Sequence, residues 1–227
     1  MTHPLLHLWY RRRVVHPAAR RLFGARWPAG STDYRSVSYL SVDLEMTDLD
    51  PRKGEIVSIG YVPVVRGEIR IGEARSMIVR SAGGVGDSAT VHGLRDRDVS
   101  LGVPVDEALG ELLEAMCGRV FLAHHAPVDL AFLNYSCRRL FNVPFLVPVV
   151  DTMGLERRRL AMRREHVHAG ELRLYRCRER YNLPVYRAHD AVTDALGTAE
   201  LFLAQTATIA GNGALRLRQL QRWSRLR

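Results

Sequence analysis

Asp43 and Glu45 stand two residues apart inside the apolar run V-S-Y-L-S-V-D-L-E-M, residues 37–46. In an extended strand such residues share one face, while Val42, Leu44 and Met46 face the other way. Two like charges side by side on a buried strand need a positive partner. Hard carboxylate oxygens suit a divalent cation such as Mg2+ or Mn2+. An edge strand with a solvated acidic face would also hold them, so the pair alone does not decide. Asp129 lies in A-H-H-A-P-V-D-L-A-F-L, after a short apolar strand and in the first turn of a helix. His189 and Asp194 lie in H-D-A-V-T-D-A, near the start of the last long helix. Each has an ordinary reading too. Asp129 can complement a helix dipole, Asp194 can be a surface acid, Asp190 a helix N-cap, and His189 a loop or core histidine.

The elements that must position these groups follow from periodicity. After the opening strand, residues 49–54 read as a turn, 55–65 as a second strand, and 68–80, beyond an Arg66-Gly67 turn, as a third. Residues 81–87 are Gly-rich but lack the spacing of a phosphate-binding loop. Apolar spacing predicts a helix over 104–116, a buried strand over 119–123, a helix over 127–141 and a strand over 145–150. Residues 153–182 read as basic helix broken at Gly170. A last long helix over 190–210 is stopped by Gly211-Asn212-Gly213. This order predicts an α/β fold: a mixed sheet, part antiparallel meander and part parallel, with helices on both faces. Residues 1–35 form a basic N-terminal extension with seven arginines and no acid before Asp33, read as a short helix packing Leu5, Leu8, Trp9 and Phe23 on the main domain. Residues 36–210 form that domain and 211–227 a basic tail.

The 227 residues are 47% hydrophobic, enough for one full core, and carry a net charge of +9. That charge favours a polyanionic partner, nucleic acid first. Arginines of 153–180 and of the N-terminal extension are both candidates for phosphate contacts. Cys117, Cys137 and Cys177 are odd in number and in no C-x-x-C arrangement, which fits a reducing cytoplasm rather than a disulfide framework. No apolar run approaches the ~20 residues of a membrane span.

Taken together, the ordered set D-x-E … D … H-x-x-x-x-D resembles the DEDDh group of 3′→5′ exonucleases, which includes the epsilon proofreading subunit of bacterial replicative polymerase, ribonuclease T and oligoribonuclease. The resemblance covers residues 37–205. V-D-L-E-M-T-D-L-D-P, T-V-H-G-L, A-H-H-A-P-V-D-L-A-F-L and H-D-A-V-T-D-A-L-G-T-A-E-L-F-L are similar to the group's successive motifs. It implies a ribonuclease H-like sheet and two Mg2+ or Mn2+ ions held by Asp43, Glu45, Asp129 and Asp194. It further implies His189 as general base, and Met46, Thr47, His92 and His125 near a 3′-terminal nucleotide. V-H-G-L and A-H-H-A-P-V-D are similar to the epsilon branch and imply single-stranded DNA as substrate. E-M-T is similar to oligoribonuclease and implies short RNA. A non-catalytic nucleic-acid-binding module is the rival from another class. A homodimer or a complex with a DNA polymerase is implied by resemblance only. The chain departs from the group's pattern at Asp48, where glycine is usual, at His125 (asparagine) and at Val128 (phenylalanine).

Overall fold

In the computed structural model of the chain, the described residues are 4–81, 100–164, 166–168, 170–186 and 190–225. Most of the Gly-rich stretch 81–87 therefore lies outside them. The elements are α1 (Pro4–Arg13), α2 (Pro17–Gly24), β1 (Tyr39–Met46), β2 (Ile56–Val65), β3 (Glu68–Ile69), β4 (Arg75–Ile78), α3 (Val105–Met116), β5 (Val120–Ala123), α4 (Ala126–Phe141), β6 (Val149–Asp151), α5 (Thr152–Met162), α6 (Leu174–Glu179), α7 (Ala191–Ala210) and α8 (Leu217–Trp223). The six strands among the described residues form one mixed sheet in the order β3-β2-β1-β5-β6, with β4 also on β2. β1 pairs antiparallel with β2 and parallel with β5, and β5 pairs parallel with β6. This is the α/β architecture that the residue pattern predicts.

The pleat of β1 separates two cores. Leu40, Val42 and Leu44 pack with α2, α3 and α4 on one face, through Leu22, Leu109, Leu112 and Phe132 among others. Tyr39, on the opposite face, packs with Ala199 and Phe202 of α7 and with Leu217 and Leu220 of α8. Ser41 shares that second face, and its hydroxyl donates to Ala195 O of α7 at 2.7 Å. Asp43 and Glu45 continue the same row.

Three local readings are corrected. The third strand over 68–80 is broken by a 3-10 turn at Ile71–Glu73. β4 pairs with Ser58–Tyr61 and β3 with Val64–Val65, so the break lies opposite Val62 and Pro63. Pro63 O accepts from Arg70 N on that side. A strand residue's N–H and C=O point the same way, so proline's missing donor falls where the ladder fails. The strand over 145–150 shortens to Val149–Asp151 because Pro148 likewise has no N–H, though its carbonyl still accepts from Phe121 N at 2.9 Å. In the basic stretch, α5 stops at Met162 and α6 begins only at Leu174, a longer break than one glycine implied.

The N-terminal extension contributes two helices. α2 inserts Ala18, Ala19, Leu22 and Phe23 into the first core, while Leu8 and Trp9, expected to pack, stay nearly half exposed. The start of α2 abuts the far end of α4, where His16 stacks on Phe141 with ring centroids 4.0 Å apart. Residues 30–34 are stitched to 215–218: Tyr34 N donates to Leu215 O, Leu217 N to Thr32 O and Arg218 N to Gly30 O, at 2.9–3.0 Å. No helix among the described residues is long and apolar enough to cross a membrane.

Candidate active site

β1 pairs with β5 only over Tyr39–Ser41. Its last residues outrun β5, and α4, which follows β5, opens beside them. Such a gap at the carboxyl ends of strands is where α/β sheets place ligands. Asp43 and Glu45 supply the strand side. Gly60, opposite Asp43 in the β1–β2 register, supplies the room for α7. A Cβ at Gly60 would lie 2.1 Å from Ala191 C and 2.2 Å from Val192 N, so only glycine lets the start of α7 lie on the sheet there. Asp190 caps that helix, its carboxylate accepting from Thr193 N at 2.9 Å. One turn in, Asp194 meets the strand carboxylates, and oxygens of Asp43, Glu45 and Asp194 come within 4.8 Å of one another.

Asp129, buried in the first turn of α4, completes the acidic wall. The electrostatics follow from crowding. Burial, then the charges of Asp129, Glu45 and Asp194, raise Asp43 well above the carboxylate range. Burial first, with Asp194 and Asp190 adding, pushes Glu45 up to about 8. Asp129 reaches about 8 for the same leading reason, although backbone hydrogen bonds at Asp129 itself and Leu44 pull it down. Asp43, Glu45 and Asp129 in this state, with Asp194 beside them, form a site that lacks positive charge. Hard oxygen donors at this separation fit Mg2+ or Mn2+, and the residues present therefore fit the metal pair that the motif resemblance implies.

The remaining expected residues divide. His125 adopts a left-handed conformation (φ 74°) as N-cap of α4, a geometry that asparagine and histidine tolerate better than most residues. Its N–H and that of Ala126 donate to the two oxygens of Asp151, at 3.0 and 3.1 Å. Thr47 N–H donates to Glu55 O, and Thr47 Oγ1 accepts from Glu55 N, so the polar groups of Thr47 close a turn within the fold. Met46 is half-buried against the first core. Asp48 is not among the residues with positive φ. Its carboxylate accepts from Asp50 N at 2.8 Å, and Gly54 makes the close approach instead, its absent Cβ falling 2.8 Å from Asp48 N. His92 and His189 lie outside the described residues.

Two supports escaped the residue pattern. Asp151 is buried, accepts from Met153 N as well, and so ties the openings of α4 and α5 together. Its place between a strand and a helix was the only available signal. Beside it, His124 is half-buried with Nε2 donating to Leu172 O (2.7 Å) and Nδ1 against Thr152 Oγ1 (2.8 Å). Burial lowers it to about 4, so it is neutral and structural. Gly60 was readable as a glycine inside a strand, a mark of close backbone approach.

Comparison with known proteins places this geometry. The chain is 26% identical over 207 residues to a PolC-type DNA polymerase III of Thermotoga petrophila, covering 91% of this chain but 14% of that protein. It is 28% identical over 204 residues to a DNA polymerase III subunit epsilon-like protein of Rhodobacter capsulatus, covering 89% of this chain and 28% of that one. The chain thus spans well under a third of the length of these relatives. Its fold matches the nuclease domain of 3′hExo, a DEDDh family member, with a TM-score of 0.64 at 17% identity, over 82% of this chain and 98% of that one. The family model for exonucleases of the ribonuclease T type matches residues 40–202, and with the acids of β1, α4 and α7 gathered at one sheet edge, the chain belongs to this exonuclease family.

Proposed function

We propose that the protein is a metal-dependent 3′→5′ exonuclease that removes nucleoside 5′-monophosphates from single-stranded DNA. The observation that carries this reading is the convergence of Asp43, Glu45 and Asp194 within 4.8 Å, with Asp129 close enough to perturb Asp43. Asp43, Glu45, Asp129 and Asp194 would hold two divalent ions. When bound, such a pair neutralises charge on the scissile phosphate and lowers the pKa of water. His189, one residue before the cap of α7, takes the proton from the attacking water, a role suited to imidazole near neutral pH. Water oxygen bonds to phosphorus as the bond to the 3′-oxygen breaks. The 3′-oxygen leaves and takes a proton from solvent to become the new 3′-hydroxyl, while His189 later returns its proton to solvent, and the released nucleotide keeps the phosphate on its 5′ carbon. His125, exposed at the mouth of α4, would flank the terminal nucleotide. Work in the cytoplasm is supported by three free cysteines, and a place beside a replicative polymerase by the polymerase III names of the relatives.

The test is incubation of 5′-labelled and 3′-labelled DNA and RNA single strands with Mg2+ or Mn2+, with His189→Ala in parallel. The expected result is a ladder shortening from the 3′ end of DNA, abolished by chelator and reduced roughly 10²–10⁴-fold in the variant. Release of nucleotides from the 5′ end, or undiminished cleavage in excess chelator, overturns the reading. A preference for dinucleotides by orders of magnitude would replace long DNA with short oligonucleotides as substrate.

A further inference from the structure

The two basic regions separate in space. The N-terminal arginines sit on helices that meet α4 at Phe141, twelve residues beyond Asp129, roughly 18 Å along the helix axis. The arginines of α5 and α8 lie elsewhere. α8 starts beside residues 30–33, which precede β1, so it rises from the amino edge of the sheet towards the carboxyl edge. Its end meets the first turn of α5, where a Cβ at Gly154 would lie 2.0 Å from Ser224 O. Gly154 is three residues from Asp151, whose carboxylate also holds the opening of α4. The junction of α5 and α8 therefore shares the edge on which the four acids gather.

At that junction Arg157, Arg158, Arg222 and Arg225 line a groove of about 510 Å³ together with Trp223. All four arginines are exposed. None forms an ion pair with an acid among the described residues, whereas neighbouring Arg159 and Arg180 engage Glu156 and Glu171. Arg158 lies over the Trp223 ring, 5.3 Å from its centroid. Four like charges facing one space, with no acid to balance them, make a focused positive field. Guanidinium groups match phosphate geometry, and a half-buried indole offers a face on which a base can stack.

We infer that this groove receives the single strand 5′ to its reacting end, the arginines taking backbone phosphates and Trp223 a base. The inference rests on the exonuclease reading and names the surface that holds that substrate. The strand would run from the carboxylates past the Asp151 junction on to α5. Arg157 is six residues along from Asp151, about 9 Å by helical rise, a span of roughly three phosphates of a stacked strand.

The experiment compares wild type, Arg157→Gln/Arg222→Gln and Arg11→Gln/Arg12→Gln. Binding of a labelled single strand of about 20 nucleotides is followed by fluorescence anisotropy in chelator across a salt series, and KM on the same strand is measured with Mg2+. Equal melting temperatures establish that the variants fold. The groove variant should bind about tenfold more weakly, with a salt slope shallower by roughly 1.4 for two lost phosphate contacts. The N-terminal variant should bind like wild type. Wild-type affinity in the groove variant, or a larger loss in the N-terminal one, overturns the inference while leaving the exonuclease reading intact. Groove-dependent binding by a protein that cleaves nothing keeps the groove and removes the nuclease.

Discussion

Replacing Gly60 by alanine tests how the acidic site is assembled. The new Cβ would sit 2.1 Å from Ala191 C and 2.3 Å from Ala191 O, backbone atoms that cannot swing aside. Reaching 3.4 Å, where ordinary contact begins, requires β2 and the start of α7 to part by about 1.3 Å. Asp194 lies three residues into that helix and moves with it, while Asp43 and Glu45 stay on the sheet. A misplacement of about 1 Å in a catalytic group costs on the order of 10²-fold in turnover. The strain itself costs about 1–3 kcal/mol of stability. Calorimetric titration of Mn2+ should therefore show weaker binding, and single-strand hydrolysis a turnover roughly 10²-fold lower, in a protein that still melts cooperatively. Gly72→Ala, where the added Cβ meets nothing within 4 Å, is the control. Ser41→Ala removes the hydroxyl bond to Ala195 O without pushing the helix, so its cost is about 1 kcal/mol with a much smaller effect on turnover. A folded Gly60→Ala protein with wild-type Mn2+ affinity and wild-type turnover would refute the placement of Asp194 by α7.

Three further outcomes follow from the same structure. Glu45 and Asp129 hold protons up to about pH 8 in the metal-free fold and release them near pH 4 when unfolded. Metal-free stability contributed by these acids should therefore fall as pH rises from about 4 to about 8. Thermal melts in chelator should show that decline, Glu45→Gln should flatten it, and Mn2+ should raise the melting temperature more at pH 8 than at pH 5.5; melts that rise through this window in chelator would contradict the crowding argument. Asp151→Ala strands the N–H groups of His125, Ala126 and Met153, at roughly 1–3 kcal/mol for each that water cannot reach. Denaturant titration should show a loss of several kcal/mol, against little change for an exposed control such as Glu73→Ala. Buried Arg178 donates to Gly197 O, Pro184 O and Glu200, and Glu200 also accepts from Tyr186. Arg178→Met should cost towards the low end of the roughly 3–5 kcal/mol typical of a broken buried pair, since Glu200 keeps some access to water. Because Tyr186 and Asp190 bracket residues 187–189 in the chain, the same variant should also alter the pH dependence of turnover; an unshifted profile would separate the clamp from the proposed general base.

The acids of β1 were legible because alternation is local: a period of two puts Asp43 and Glu45 on one face, and burial of their neighbours makes that face conspicuous. The start of α7 was legible for a similar reason, since Asp190 caps a helix whose apolar spacing is regular. What escaped the sequence is long-range. Asp151 looked like a strand end, yet its oxygens close a gap of 26 positions to His125. Ser41 reads as a polar residue in a strand, and only the packing of α7 gives its hydroxyl a carbonyl 154 positions away. The break in the third strand was written in Pro63, on the neighbouring strand rather than in the broken one. Leu8 and Trp9 were expected inside because they are apolar, but α2 had already filled that side of the core with Leu22 and Phe23.

The backbone ties between 30–34 and 215–218 have a consequence for architecture. The segments beyond the ties belong to the body as well: α2 puts Leu22 and Phe23 into one core, and α8 puts Leu217 and Leu220 into the other. The clasp therefore fastens together the two chain segments that lead into opposite cores of the sheet. Removing either flank should loosen both layers at once, whereas the acidic wall, at the other border of the sheet, takes no direct strain from the joint.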